Sequence, residues 1–198
     1  MTLQDFYEQI KDCQRCALAA SRTQVVFGDG NPHAQIMFVG EAPGFHEDRI
    51  GKPFVGAAGK LLDQLLGEIG IQRGDIYIAN VIKCRPPQNR NPRPEEIESC
   101  KPYLLRQIEL IHPKIICTLG NFSTQLLLGH KVGITKVRGQ AFDRGSYVVV
   151  PMLHPAAALH RESMLEAVKE DFQNLRNILD QGGPSQASGT KTDQLSLF

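Results

Sequence analysis

Four short runs of consecutive apolar residues, rich in β-branched side chains, recur along the chain. Each run is continuous and does not alternate with polar residues, a pattern typical of strands whose two faces are both buried. The runs span residues 36–40, 76–81, 115–120 and 147–153. They predict four strands of a parallel sheet that is covered on both sides.

Segments with helical periodicity lie between and after these strands. Their apolar residues recur at three- and four-residue spacing, which places them on one face of a helix. The segments span residues 57–69, 94–110, 122–128 and 161–179, and Asn121 is expected to cap the third. Strands alternating with helices predict an α/β fold, a three-layer α/β/α sandwich around a central four-stranded parallel sheet.

The composition of the chain changes after residue 180. Residues 1–180 carry the predicted elements and are expected to form one domain, because 198 residues with 41% hydrophobic content suit a single core. Residues 181–193 are rich in Gly, Ser and Thr, which predicts a flexible linker. Residues 194–198 are mostly apolar again.

Charge and hydropathy exclude some classes of protein. No apolar run approaches the length of a membrane span, and the first residues lack the basic start and apolar stretch of a signal peptide. A cytoplasmic protein is therefore expected, in which the five cysteines are thiols or ligands and not disulfides. A net charge of +1 argues against a protein that coats nucleic acid through charge alone, although it allows a local basic patch.

Four of the cysteines have the spacing of a metal site. Cys13 and Cys16 form a C-x-x-C pair, and Cys84 and Cys100 supply a second, wider pair. Four thiolates complete either a zinc site or a [4Fe–4S] cluster, and the wide second spacing favours iron–sulfur. Cys117 lies inside an apolar run and is expected to be a core residue.

Unusual residues follow three of the predicted strands. Residues 40–44 read Gly-Glu-Ala-Pro-Gly after the first strand, Asn80 lies near the end of the second, and His154-Pro155 follows the fourth. Ligands of parallel sheets bind just beyond the carboxyl ends of the strands. The sequence therefore predicts one site at this edge of the sheet.

These motifs resemble those of the family 4 uracil-DNA glycosylases. The resemblance rests on residues 40–44, residues 51–56, Asn80 and residues 154–156, in the right order and at compatible separations, and it covers residues 3–179. The four cysteines match the cluster ligands of that family in order and approximate spacing. The resemblance implies the excision of uracil from DNA, with uracil-containing DNA as the partner and a [4Fe–4S] cluster as cofactor.

The resemblance also implies roles for individual residues. Phe54 would stack on the flipped base, and Asn80 would read the O4 and N3–H edge of uracil. His154 would stabilise the charge that develops on O2 as uracil leaves. Gly40 and Gly44 would let the backbone approach the base closely.

The motif that positions water in better-known relatives lacks its carboxylate in this chain. Better-known relatives carry G-Q-D-P-Y as the first motif, and Ala42 stands here at the place of that aspartate. Glu41 and Glu47 are therefore the candidates for positioning water or stabilising the sugar cation. Asn89 is expected to approach the site from a separate loop.

A basic stretch and an apolar side chain are candidates for contact with DNA. Leu159 is a candidate wedge for the space that the flipped base leaves. The basic residues expected to contact the phosphate backbone are Lys83, Arg85, Arg90 and Arg93.

Two other functions fit the same residues. The first is a glycosylase for another deaminated base, since Gly44 occupies the place of a tyrosine that would narrow the pocket. The second is an iron–sulfur sensor of DNA damage, in which Ala42 marks lost catalysis. Excision assays on several lesions distinguish these functions.

Residues 194–198 resemble the peptide that binds the bacterial sliding clamp. The peptide reads Gln194, Leu195, Ser196, Leu197 and Phe198, an apolar group with a polar anchor that suits a hydrophobic groove. It suggests a bacterial source and a cytoplasmic, nucleoid-associated protein. A monomer is expected.

Overall fold

The computed structural model describes residues 1–181. Eight α-helices and six strands occur in this part of the chain. The helices are α1 (Leu3–Ile10), α2 (Phe45–Ile50), α3 (Ala57–Glu68), α4 (Pro94–Ile111), α5 (Asn121–Leu128), α6 (Ile134–Val137), α7 (Ala156–His160) and α8 (Leu165–Asp180). The strands are β1 (Asp29–Gly30), β2 (Ile36–Gly40), β3 (Tyr77–Asn80), β4 (Ile115–Leu119), β5 (Phe142–Asp143) and β6 (Val148–Met152).

The strands form one mixed sheet in the order β1-β3-β2-β4-β6-β5. The four central strands are parallel, as the continuous apolar runs predict, and the α/β class is confirmed. The two edge strands, β1 and β5, pair antiparallel and were not predicted. Each has only two residues, which is too short to show a periodic pattern.

Helices cover both faces of the sheet. Alternate residues of β2 point to opposite sides, so Met37 and Val39 pack against α1, α4 and α5 while Phe38 packs against α3 and α8. The rings of Phe38 and Phe172 stack with their centroids 6.1 Å apart. The sheet is therefore the middle of three layers, each side with its own apolar core.

Two predicted helix starts differ from the structure. Gly120, and not Asn121, is the residue before α5, and the Asn121 side chain accepts a hydrogen bond from the Ile134 backbone N–H at 2.8 Å. The last helix begins at Leu165, after a single 3₁₀ turn at Glu162–Met164. The sequence also missed α1, α2, α6 and α7, which are eight residues or shorter.

The order of the strands predicts a crevice at the edge of the sheet where the parallel strands end. The chain passes from β2 to β3 on one side and then returns to β4 on the other side of β2. Loops that leave neighbouring strands in opposite directions open a crevice beyond their carboxyl ends. Within residues 1–181, no helix is both long and apolar enough to span a bilayer.

Candidate active site

The carboxyl ends of the four parallel strands meet around one crevice. Gly40 at the end of β2 pairs with Asn80 at the end of β3. Gly120 follows β4 and His154 follows β6 by two residues, and a Cβ added at Gly120 would lie 3.6 Å from His154 Cβ. The three loops predicted to converge do so, and Gly120 adds a fourth strand end that the sequence analysis missed.

Asn80 carries an unused hydrogen-bond acceptor. Its side chain is 2% exposed, and its Oδ1 has no hydrogen-bond partner in the described residues. A buried acceptor without a partner costs about 1–3 kcal/mol, so such groups are rare unless a ligand satisfies them. A Cβ at Gly40 would lie 2.4 Å from this oxygen, so only glycine leaves room for it.

Phe54 forms one wall of the crevice. Its ring stacks on the His154 ring with centroids 5.4 Å apart and planes inclined by 24°. Its φ of +53° is a left-handed conformation that an aromatic residue rarely adopts. Gly59 permits this backbone position, because a Cβ there would lie within 2 Å of the Phe54 carbonyl oxygen.

Glu47 holds the loop that carries Phe54. From α2, its Oε1 accepts hydrogen bonds from the backbone N–H groups of Val55 at 3.0 Å and Gly56 at 2.9 Å. Its Oε2 faces Gly44, where a Cβ would lie 2.8 Å away. Glu47 therefore lies at the site, and one of its two oxygens is already engaged by the loop.

His154 is held as a neutral hydrogen-bond donor. The backbone N–H of Ala156 donates to its Nδ1 at 3.1 Å, and because that group can only donate, the proton of the neutral ring is inferred to lie on Nε2. Burial lowers the pKa of His154 to about 4, although the Glu47 carboxylate opposes this shift. At neutral pH the ring is therefore uncharged and its Nε2–H is available to a ligand.

A buried acid of α8 fixes the chain just before His154. Asp171 Oδ2 accepts a hydrogen bond from the Leu153 N–H at 2.7 Å, and its Oδ1 lies 2.9 Å from Arg138 Nε. Asp171 is fully buried among the apolar residues of α8. The sequence analysis missed it, although a lone acid on the apolar face of residues 161–179 was a usable signal.

Glu41 and Ala42 continue the chain beyond β2. Burial raises the pKa of the Glu41 carboxyl above its usual range. Ala42 is partly buried and packs against one of the two apolar cores, and its methyl side chain offers no acid or base. Glu41 is thus a partly buried carboxyl next to the Gly40–Asn80 pair.

Asn89 makes no described side-chain hydrogen bond with the residues of the crevice. Its Oδ1 accepts a hydrogen bond from Arg85 Nε at 2.7 Å, and it lies on an exposed loop with φ of +54°.

Arg90 is also engaged, because its guanidinium forms two hydrogen bonds with the Glu96 carboxylate, at 2.9 and 2.6 Å. Only part of the predicted basic stretch is therefore free to bind phosphate.

Lys83 lies in the interior, so its predicted contact with the DNA backbone is wrong. Its Nζ donates to the backbone carbonyl of Asn80 at 2.9 Å and to Gln107 Oε1 at 2.5 Å. Gln107 in turn donates to the Phe27 carbonyl and to the Tyr77 hydroxyl. The ammonium group thus holds the strand end that presents Asn80.

The four predicted cysteine ligands line one small cavity between α1, the loop after β3, and α4. These ligands are Cys13, Cys16, Cys84 and Cys100. Tyr103 donates its hydroxyl to Cys13 Sγ at 3.1 Å, and the Lys83 backbone N–H donates to Cys100 Sγ at 3.2 Å. Burial raises the pKa of Cys84 to about 11 and also raises that of Cys100. Cys117, as predicted, lies in the core.

Two kinds of metal site accept four thiolates, a zinc ion and a [4Fe–4S] cluster. In residues 1–181, no three His, Cys, Asp or Glu side chains are grouped as ligands of one metal ion. A zinc ion needs four ligands in one coordination sphere, with Zn–S distances of about 2.3 Å. A four-iron cluster binds each thiolate through a different iron, so its cysteines lie farther apart. Four cysteines around one cavity are a ligand set that a [4Fe–4S] cluster takes.

Comparison with known proteins decides the family. A family model described as the uracil DNA glycosylase superfamily matches residues 27–179. The chain belongs to the uracil DNA glycosylase superfamily. The matched segment contains the strand-end residues of the crevice, whereas Cys13 and Cys16 precede it.

Three relatives from this superfamily illustrate the similarity. The chain is 48% identical over 187 residues to a type-4 uracil-DNA glycosylase of Sulfurisphaera tokodaii, covering 89% of this chain and 84% of the relative. It is 47% identical over 180 residues to that of Thermotoga maritima, covering 89% and 94%. A type-5 uracil-DNA glycosylase of Thermus thermophilus is 32% identical over 139 residues, covering 63% and 62%.

The depressed pKa of His154 predicts a pH dependence of stability. In the unfolded chain this histidine titrates near 6.5, whereas in the folded protein it stays neutral down to about pH 4. Between these values the unfolded state binds more protons, so the free energy of unfolding falls by up to about 3 kcal/mol as the pH is lowered. Above about pH 6.5 the contribution is constant.

Urea denaturation from pH 4 to pH 8 measures this dependence. The His154→Gln variant serves as the control, because it keeps every other titrating group. The difference between wild type and the variant should change with pH only below about 6.5. Parallel curves over the whole range would contradict the assignment of a depressed pKa to His154.

Removal of the Asp171 carboxylate should destabilise the protein and disturb the His154 loop. Asp171→Ala leaves the Leu153 N–H without its acceptor and Arg138 without its buried partner, and we expect a loss of about 3 kcal/mol in urea denaturation. Asp180→Ala, which removes an exposed ion pair with Arg176 on the same helix, should cost no more than about 1 kcal/mol. Equal losses in the two variants would refute the role assigned to Asp171.

Proposed function

We propose that this protein is a uracil-DNA glycosylase that removes uracil by hydrolysis and leaves an abasic site for base excision repair. The observation that carries the proposal is the buried Oδ1 of Asn80, which has no hydrogen-bond partner within residues 1–181. Uracil presents a donor at N3 and an acceptor at O4, which match the acceptor and donor of a side-chain amide. Cytosine presents the opposite pattern at these two positions.

The target nucleotide must leave the base stack to reach this amide. In the proposed complex the base stacks on Phe54, next to the Gly40–Asn80 pair, and Gly44 and Ala42 form the neighbouring wall. A closely packed pocket of this kind excludes water from the edge of the base. It therefore strengthens each hydrogen bond that reads the base.

His154 stabilises the leaving group in this proposal. Breaking the bond between N1 of uracil and C1′ of the sugar places negative charge on uracil O2. The Nε2–H of the neutral ring donates to that oxygen as the charge develops, and its direction is fixed by the Ala156 N–H at Nδ1. Donors fixed in advance toward such charge are worth about 10²–10³ in rate.

We assign the carboxylate that acts on water to Glu41. The Oε1 atom of Glu47 is engaged by the Val55 and Gly56 N–H groups, which suits that residue to holding the Phe54 loop. Glu41 has no such engagement among the described hydrogen bonds, and its raised pKa fits a group that accepts a proton. Water then attacks C1′, the proton passes to the carboxylate, and the uracil anion departs.

We further propose that Cys13, Cys16, Cys84 and Cys100 hold a [4Fe–4S] cluster. The cavity that the four cysteines line together supports it, since four thiolates are the ligands that such a cluster takes. When bound, the cluster supplies a covalent link between the N-terminal segment, the loop after β3, and α4. The crevice residues carry out the reaction.

Excision of uracil from a labelled single-stranded oligonucleotide tests the proposal. Asn80→Ala and His154→Ala should each lower the single-turnover rate by about 100-fold or more, whereas Leu105→Ala, an exposed apolar residue of α4, should not change it. Asn80→Asp replaces the amide donor with an acceptor and should shift the preference away from uracil toward cytosine.

Other results would select a different function. Wild type that releases another deaminated base faster than uracil would assign the site to that base. Wild type that binds damaged DNA tightly but releases no base, in a preparation with stoichiometric iron, would identify a damage sensor.

We also propose that residues 194–198 bind a bacterial sliding clamp, and that the protein acts as a monomer in the cytoplasm, associated with the nucleoid. These residues lie outside the described part of the chain. Their two leucines and phenylalanine suit an apolar groove, and Gln194 adds a polar anchor. A tether to the clamp would raise the local concentration of the enzyme at newly copied DNA.

Deletion of residues 194–198 tests the clamp interaction. Binding to the purified clamp, measured by surface plasmon resonance, should be lost, while uracil excision from short oligonucleotides should not change. Leu197→Ala combined with Phe198→Ala should have the same effect, whereas Ser196→Ala should retain most of the binding. Unchanged clamp binding by the deletion variant would contradict the proposed clamp interaction.

A further inference from the structure

An exposed aromatic residue lies beside two arginines near the crevice. The guanidinium carbons of Arg49 and Arg85 lie 5.6 Å and 5.1 Å from the centroid of the Phe45 ring. The ring of His46 meets Phe45 edge-on, with centroids 5.4 Å apart. We call these four residues the Phe45 platform.

The exposure of Phe45 has no explanation in the fold. Its side chain is 45% exposed, and it belongs to neither apolar core. In residues 1–181 it is the one aromatic ring among the large hydrophobic side chains that remain exposed. An exposed ring held by cations is a common means of binding a flat ligand.

The positive charges of Arg49 and Arg85 are not neutralised by a carboxylate in the described part of the chain. Arg90 and Arg138 form ion pairs with Glu96 and Asp171, whereas no described carboxylate pairs with Arg49 or Arg85. Asn89 fixes Arg85 through a neutral hydrogen bond, which orients the guanidinium without cancelling its charge. An uncompensated pair of guanidinium groups favours an anion such as phosphate.

The platform lies next to the proposed uracil pocket. Phe45 and Arg49 belong to α2, the helix from which Glu47 holds the Phe54 loop. On the same helix, His46 faces that loop, because a Cβ at Gly56 would lie 3.7 Å from His46 Cδ2. The platform and the Phe54 loop are therefore joined through helix α2.

We propose that the Phe45 platform binds the nucleotide next to the flipped uracil in single-stranded DNA. The flanking base stacks on Phe45, and a neighbouring phosphate contacts Arg49 and Arg85. An aromatic face together with cations is the usual combination for single strands, because every base offers a face for stacking. This inference rests on the proposed excision of uracil, since it places the strand by the position of its flipped nucleotide.

Binding to uracil-free oligonucleotides tests the platform independently of excision. The probe is a fluorescent single strand with a tetrahydrofuran abasic residue at the target position, and two further probes also lack the base on the 5′ or the 3′ side. Wild type should lose affinity by about fivefold or more when the stacked flanking base is missing. Phe45→Ala should bind the complete probe about fivefold or more weakly and should not respond to the missing base.

Salt titration separates the arginine contacts from stacking. Arg49→Ala and Arg85→Ala should each reduce the slope of log affinity against log salt by about 0.7, the value for one phosphate contact on a single strand. Phe45→Ala should leave that slope unchanged. Leu105→Ala, an exposed apolar variant on α4, is the matched control and should behave as wild type.

The outcomes are decisive in either direction. Phe45→Ala that binds as tightly as wild type would overturn the proposal, as would a variant that still responds to the missing flanking base. A failure of uracil excision with intact platform binding would instead reject the proposed function alone. The near-ultraviolet circular dichroism of each variant confirms that it is folded.

Discussion

The buried ammonium group of Lys83 is the constraint around which the site is arranged. A charge in the interior is tolerated only when oxygens surround it closely, since its desolvation costs several kcal/mol. Here the oxygens come from the end of β3 and from Gln107 of α4, and the Lys83 backbone N–H reaches Cys100. The cysteine cavity, the helix layer and the strand end that carries Asn80 therefore meet at one residue.

The central sheet was predictable because burial on both faces leaves a continuous apolar run. The four parallel strands and the longer helices follow from that pattern, and so does the meeting of Gly40, Asn80 and His154 at one edge. Short elements such as α2 have too few residues for a period to emerge. The register that places Gly40 beside Asn80 depends on tertiary pairing and not on local sequence.

Polar residues were harder to place, because the sequence shows a charge but not its surroundings. Lys83 was expected to contact the phosphate backbone, and Glu47 was one of two candidates for positioning water. In the fold, the buried Lys83 Nζ donates to the Asn80 carbonyl and to Gln107 Oε1, whereas Glu47 accepts two backbone N–H groups. Asp171 and the tautomer of His154 depend on contacts with residues distant in the chain or on loop geometry that no spacing rule describes.

The left-handed backbone of Phe54 has a consequence for the rigidity of the crevice wall that it forms. The Phe54 backbone has a φ of +53° and is held there by the Glu47 hydrogen bonds and by the close approach of Gly59. It therefore cannot relax into the commoner backbone conformations. The wall is thus ordered during folding and not at the moment of encounter. Little conformational entropy remains to be lost on binding, which favours a crevice of fixed shape over one that adapts to its ligand.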